Sequence, residues 1–366
     1  MRWRNVLEPQ TLIDRWTACP PEGFSVVSDA PAPAFVAPFD LLTTADAEFV
    51  ERLSQWPGFR TWRRFLRLRT TFIGTTVTEY APVPDAGAAD VQQSAATLAA
   101  SLRERLGRGA ALTILKDLPQ ASPLLPAQDN AFADELARAC EARDFIQLAG
   151  QALAYVPIDF SDVGDYIARL NRKDAKYVRK KLRARAGLTV TVARTGDACF
   201  DEAKVRLYYA MYEQVYAQSE IHFDRLTHDF FAGVLTDPAQ KGVVFEYRNQ
   251  DGAFIGWNLC FEHKGMLIDK YIGFTYPQAR EANLYFVSWF VNLEYAMERG
   301  LTHYVAGWTD PEVKALLGAS FTFTRHLVFI RNPLLRALGR RLAGSFESDR
   351  TWSEKAGSEK PGSEKP

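Results

Sequence analysis

The apolar and polar positions divide the chain into an irregular opening and two long patterned stretches. Residues 1–35 include PPEGFSVVSDAPAPAF, rich in Pro and small residues, and read as an irregular lead-in. TTADAEFVERLSQWP predicts a short helix, capped by Thr44 or Asp46 and ended by Pro57. The alternating, Thr- and Phe-rich run 61–80 predicts one or two strands. An amphipathic helix follows over 89–107, then a buried strand over Ala111–Leu118, a helix over 129–144 and a strand in ALAYVPID. Beyond residue 160, VGDYIARLNRKDAKYVRKKLRARAG reads as one helix, capped by Asp162 or Ser161 and stopped by Gly187. LTVTVAR is a strand, 199–218 a Tyr-rich helix and DRLTHDFFAGVL another. Three strands joined at NQDG and EHKG come next, these being hairpin signals. The apolar helix NLYFVSWFVNLEYAMERG ends at Gly300, and the strand THYVAG, the short helix DPEVKALLG and the strand FTFTRHLVFI close the pattern. The alternation of elements is that of a mixed α/β (α+β) protein, and 366 residues suit two domains.

Composition narrows the choice of function. Lys plus Arg and Asp plus Glu number 44 each, so no general attraction to nucleic acid or membrane is expected and any anion must meet a local patch. Cys19, Cys140, Cys199 and Cys260 form no CxxC pair, which argues against a zinc cluster or disulfide framework, and no metal is implied. No apolar run reaches 18 residues and MRWRNVLEPQ lacks a secretory h-region, so a cytoplasmic protein without stable membrane insertion is expected. The SEKAGSEKPGSEKP repeat within 347–366 buries nothing and reads as a disordered tail.

LNRKDAKYVRKKLRAR at 170–185 resembles the basic helix that opens the GNAT-like domain of Fem-type aminoacyltransferases and BioF-like acetyltransferases. The stretch from YIGFTYPQAREANLYF to LLGASFTFTRH, with Gly300, Gly307, Lys314, Gly318 and His326, is similar to the same group and to peptidoglycan-biosynthesis/recognition proteins. The resemblance covers about residues 155–330. It implies two GNAT-like domains in tandem: a degenerate one over 36–157 and an acyltransferase domain over 158–335, around one cleft. It also implies transfer of an acyl or aminoacyl group to a small-molecule amine, in specialised metabolism or cell-wall precursor biosynthesis. The chain departs from the GNAT pattern at PQAREANLYF, where a glycine-rich loop would hold the pyrophosphate of coenzyme A. No tightly bound cofactor is therefore expected, and the donor is an aminoacyl-tRNA, a carrier-bound acyl group or an acyl-CoA. A CoA-dependent small-molecule acetyltransferase and a non-catalytic binding protein of the same fold are the alternatives.

Amide formation by direct transfer needs a neutral amine, a polarised carbonyl and a proton for the leaving group. In MLIDKYIGF, strand alternation puts Asp269 and Tyr271 on one face and Lys270 on the other. Asp269 is the candidate base, with Tyr271 or Tyr285 as proton donor. Asn283 stands at a helix start, as an anion anchor or only an N-cap. Tyr285 and Trp289 share a helix face. Trp308 and Lys314 follow a strand end, Lys314 being an anion-binding group or a solvated helix lysine. Phe321, Phe323, Arg325 and Leu327 share one strand face and Thr322, Thr324, His326 and Val328 the other, so His326 is a candidate substrate contact or a structural histidine. Tyr208, Tyr212 and Tyr216 form a helical stripe that, with His222 nearby, lines a cleft or packs a core. Eight cations lie between Arg172 and Arg185 against Asp174 alone, with Lys176, Arg179, Lys180 and Arg183 on one side, ready for donor phosphates or neutralised by neighbouring acids.

Overall fold

The computed structural model describes residues 3–42, 51–52, 54–85, 90–107, 109–219 and 222–343, leaving aside the side chains of Arg60 and Trp62. The helix expected over 44–57, its caps and the tail over 347–366 lie outside or mostly outside these residues.

The β-branched and aromatic runs form thirteen strands among the described residues: β1 (Trp3–Arg4), β2 (Ser25–Val26), β3 (Ala34–Asp40), β4 (Arg67–Ile73), β5 (Val83–Pro84), β6 (Leu112–Gln120), β7 (Ile146–Pro157), β8 (Thr189–Arg194), β9 (Gly242–Arg248), β10 (Phe254–His263), β11 (Met266–Phe274), β12 (His303–Gly307) and β13 (Ser320–Ile330). β1 pairs with β5, and the other eleven make one sheet in the order β2-β3-β4-β6-β13-β7-β12-β11-β10-β9-β8. Each half repeats one plan. An antiparallel run (β2-β3-β4 or β8-β9-β10-β11) meets a parallel neighbour, β6 or β12, which is flanked by an antiparallel strand. The flanking strands are exchanged: β13 lies between β6 and β7, and β7 completes the half that contains β12.

Among the described residues, ten α-helices longer than a single turn cover the sheet: α1 (Gln10–Ala18), α2 (Val91–Ser101), α3 (Ala127–Glu141), α4 (Val163–Ala168), α5 (Arg172–Leu182), α6 (Glu202–Gln218), α7 (His228–Leu235), α8 (Leu284–Glu298), α9 (Pro311–Leu316) and α10 (Pro333–Leu342). One core lies under α4, α5 and α8, with Ile167, Val178, Phe290 and Leu293 buried in it. A second lies under α1, α6 and α7, around Trp16, Tyr208, Phe230 and Trp257. A third lies under α2 and α3, around Leu98 and Phe132. No helix among the described residues is long and apolar enough to cross a membrane.

Three expectations are corrected. The lead-in 1–35 is not irregular throughout, because α1 buries Leu12, Ile13 and Trp16 at helical spacing. Residues 61–66 belong to helical turns that start after Gly58 (φ 72°), and only 67–73 is strand. The helix read over 163–187 is two helices and a 3-10 turn, because Asn171 starts a new helix by accepting from the Asp174 N–H.

Candidate active site at a fork in the sheet

β11 and β12 pair only from Met266↔His303 to Ile268↔Val305. Beyond that point β11 bonds only to β10 and β12 only to β7, so the sheet forks. A cavity of about 980 Å³, at the upper end of the range for ligand sites, starts in the fork. Its lining includes Asp269, Lys270 and Tyr271 from β11, Tyr285, Ser288 and Trp289 from α8, and Tyr304, Gly307, Trp308 and Lys314 from the opposite prong and its loop. Because the fork opens the sheet, the cavity is also lined by Tyr212, Tyr216, Phe223 and Asp224 from the α6–α7 side.

Strict alternation fails at its apex. Cys260 opposes Asp269 and Leu259 opposes Tyr271, so Lys270 is the extra residue of a β-bulge. Asp269 therefore faces α8, while Tyr271 turns to the other face and packs edge-on against Phe230 and Phe231 of α7. The expectation that Asp269 and Tyr271 share a face is overturned by that added residue. Lys270 is bound between Glu8 and Glu79, at 3.2 and 2.6 Å.

Asp269 is held on all sides. Its Oδ1 accepts from Asn258 Nδ2 (2.6 Å), and its Oδ2 accepts from the Tyr304 hydroxyl (2.8 Å) and Asn292 Nδ2 (3.2 Å). Burial holds its carboxyl above the usual range, against the pull of the Tyr304 and Asn258 hydrogen bonds. Lys314 lies almost wholly inside the protein, in contrast to a solvated helix lysine, and its Nζ donates to the Ala306 carbonyl at 2.7 Å. Burial pushes it down to about 8, against Asp269, Glu79 and Asp310. Gly307 (φ 81°) turns the chain between them, and a Cβ there would stand 3.9 Å from Lys314 Nζ. Tyr285, raised well above an ordinary phenol by burial, and Trp289 both reach the cavity, and Trp289 meets the Tyr304 ring edge-on. Trp308 lines it beside Tyr80.

His326 lines a second polar wall, where its Nδ1 accepts from the Asp117 N–H (3.0 Å) and Lys116 pairs with Asp117. Asp224, pushed up to about 6 by burial, completes that wall.

Three groups of candidates stand apart from the cavity. Asn283 sits at the N-cap of α8 in a left-handed conformation (φ 49°), but its side chain makes no cap and accepts from Lys181 Nζ at 2.8 Å. His222 is exposed, with its ring against Tyr216 outside the cavity, and Tyr208 is buried against Trp257, so only Tyr212 and Tyr216 of the stripe reach the cleft. Lys176, Arg179, Lys180 and Arg183 are exposed along α5 and its following turn, and no acid pairs with them among the described residues.

Sequence reasoning missed Asn258, Asn292 and Tyr304, the groups that hold Asp269. Each was visible as a lone polar group in an apolar run (GWNLCF, FVNLEY, THYVAG), a placement that needs a buried partner.

Similarity to known proteins places the chain. The sequence profile of the FemAB-like group, described as peptidoglycan biosynthesis/recognition, matches residues 104–341. Among curated proteins, none matches. L-PGS from Bacillus licheniformis is similar in structure with a TM-score of 0.50 at 10% identity, covering 94% of this chain and 99% of that one. The C-terminal domain of a putative lysylphosphatidylglycerol synthetase from Agrobacterium fabrum also has a TM-score of 0.50, at 13% identity and 88% coverage of each chain. At such identities the likeness speaks for the fold, two GNAT-like units in tandem. The profile spans more than half of the sequence, and the chain belongs to the FemAB-like peptidoglycan biosynthesis/recognition family.

Proposed function

We propose that the protein transfers an acyl or aminoacyl group to an amine of a cell-wall or lipid precursor, by direct attack within a ternary complex. The observation that carries this reading is the fork, where the half-buried carboxylate of Asp269 and the buried amine of Lys314 line one cavity. The acceptor nitrogen adds to the acyl carbon to give a tetrahedral intermediate, and the bond from that carbon to the donor breaks as the intermediate collapses. Asp269 accepts the proton that the amine sheds, and the Tyr285 hydroxyl donates one to the leaving group. The Lys314 ammonium donates to the oxygen that becomes negative in the tetrahedral intermediate. Trp289 and Trp308 wall the acceptor, and Tyr212 and His326 line its far side. The two units, proposed to meet near residues 157–158, share this cleft.

Asn283 is already engaged by Lys181, so it offers no free anchor for a pyrophosphate. The donor's phosphates are instead assigned to the exposed cations of α5, which Lys181 ties to the start of α8. That favours an aminoacyl-tRNA over an acyl-CoA. Purified protein is to be offered aminoacyl-tRNA or acyl-CoA together with an amine acceptor, with product read by mass spectrometry. Product is expected with the tRNA donor, and Asp269→Asn is expected to slow its formation by about 10²–10⁴-fold. Failure of both donors, or an Asp269→Asn enzyme as fast as the parent, sinks the reading.

The basic face has its own test. Changing Lys176, Arg179, Lys180 and Arg183 together to Ala is expected to weaken tRNA binding. It should also flatten the slope of log affinity against log salt, by about one for each phosphate that is no longer neutralised. An unchanged slope would remove α5 from the donor site.

A further inference from the structure

The far end of the cavity bears no resemblance to its polar apex. There it is lined by Leu41, Leu68, Leu112, Leu148, Val328 and Ile330, and its rim is formed by Phe65 and Leu66 on one side and Leu335, Leu338 and Leu342 of α10 on the other. The rim faces water. Leu334 is 80% exposed, Phe65 66%, Leu335 56% and Leu338 51%, and α10 buries none of its residues. On α10 the four leucines at 334, 335, 338 and 342 recur at helical spacing, so they form one apolar stripe. Gly339, four residues after Leu335 and three before Leu342, borders that stripe, close enough to Ile330 and Ile146 to seat the helix on the sheet.

The two segments that carry this rim hold charges of one sign. Residues 54–69 contain Arg60, Arg63, Arg64, Arg67 and Arg69, and residues 331–342 contain Arg331, Arg336, Arg340 and Arg341, with no Asp or Glu in either segment. Asp40 answers Arg63, and Asp144 answers Arg336 and Arg340 from outside these segments. Arg64, Arg67 and Arg341 stay exposed and are in no ion pair among the described residues. A protein with balanced total charge has thus gathered cations around its exposed leucines. Exposed apolar side chains ringed by arginines suit the surface of an anionic bilayer: the leucines enter the acyl boundary and the guanidinium groups meet the phosphates.

We propose that this rim is a membrane-docking surface, with an anionic phospholipid bilayer as its partner. Docked there, the mouth of the cavity opens onto the lipid. The apolar arm is then continuous with the bilayer interior and the polar apex lies at its inner end. This does not depend on the transferase reading, since binding is measured without turnover.

The test is co-sedimentation of the full chain with vesicles of phosphatidylcholine alone or of phosphatidylcholine with one-quarter phosphatidylglycerol. Binding is expected to the mixed vesicles, to weaken as salt rises and to be slight on the neutral ones. Leu334→Asp is expected to reduce it about tenfold, and Arg341→Ala about fivefold. Both side chains are exposed, so folding is not at risk. Asp269→Asn is expected to bind vesicles as the parent does, whatever its effect on transfer. Equal binding to neutral and anionic vesicles, no binding to either, or Leu334→Asp binding like the parent overturns the proposal. A dimer in sedimentation velocity that Leu334→Asp dissolves also overturns it, because a second copy then covers the rim.

Discussion

Replacing Lys314 with Met is expected to lower kcat/KM for transfer by about 10²–10³-fold while making the protein more stable by about 1–3 kcal/mol. The two effects share one cause. The lysine is buried and its folded-state pKa is about 8, below the ordinary value of 10.5. Below about 8 it is charged in both the folded and unfolded chain, so folding bears the full cost of desolvating it. That cost shrinks as pH rises from about 8 towards the ordinary lysine range, and the native state gains stability across that window. Met fills the same volume without a charge, and the loss of one hydrogen bond to Ala306 offsets only part of the gain. Urea titrations at pH 7 and pH 10 check the stability, and the difference between parent and variant should narrow at the higher pH. The same ionisation should cut the parent's transfer rate above about pH 8, as the ammonium is lost. A variant that is both slower and less stable would show that Lys314 serves mainly as a structural prop.

The second large effect lies one residue from the apex. Lys270→Ala is expected to cost about 3–5 kcal/mol, because it leaves Glu8 and Glu79 buried with no cation between them. Burial pulls the Lys270 pKa down, but the carboxylates of Glu79 and Glu8 outweigh it and push it up to about 12. A raised lysine contributes its stability in full below the ordinary lysine value and loses it as pH climbs through about 12, so the parent should unfold at strongly alkaline pH. Adding Glu8→Gln and Glu79→Gln to Lys270→Ala should recover much of the loss, since it removes the stranded charges. Thermal unfolding of the parent, the single variant and the triple variant reads this directly. If the triple variant is no more stable than the single one, the cost comes from packing rather than from charge.

What the sequence reveals here follows the range of the interactions involved. The strands β9 to β13 and the helix α8 are legible because their patterns are local: NQDG and EHKG mark turns, and a 15-residue apolar helix ends beside Gly300 at φ 65°. Asp269 and Lys314 stand out as charges within apolar or strand-end runs. The bulge is not legible, because one extra residue in a strand leaves no trace in composition while reversing every side chain beyond it. Lys270 could not be matched with Glu8 for a different reason, since 262 positions separate them and only the fold brings them together. Asn283 shows the opposite failure: a good N-cap residue at a helix start whose side chain was claimed by Lys181 from another helix.

The exchange of β7 and β13 also bears on how the chain must be assembled. On the ribosome, β6 and β7 emerge early, yet the place between them belongs to residues 320–330 and stays vacant until almost all of the described chain has been made. During that interval two long strand edges are open to any other extended segment, a hazard for a nascent protein. Neither GNAT-like unit can finish folding before the other has been synthesised, so the two ripen together. Cutting the chain after Pro157 would yield one fragment that carries β7 without its partners β12 and β13, and another that carries β13 without its partners β6 and β7.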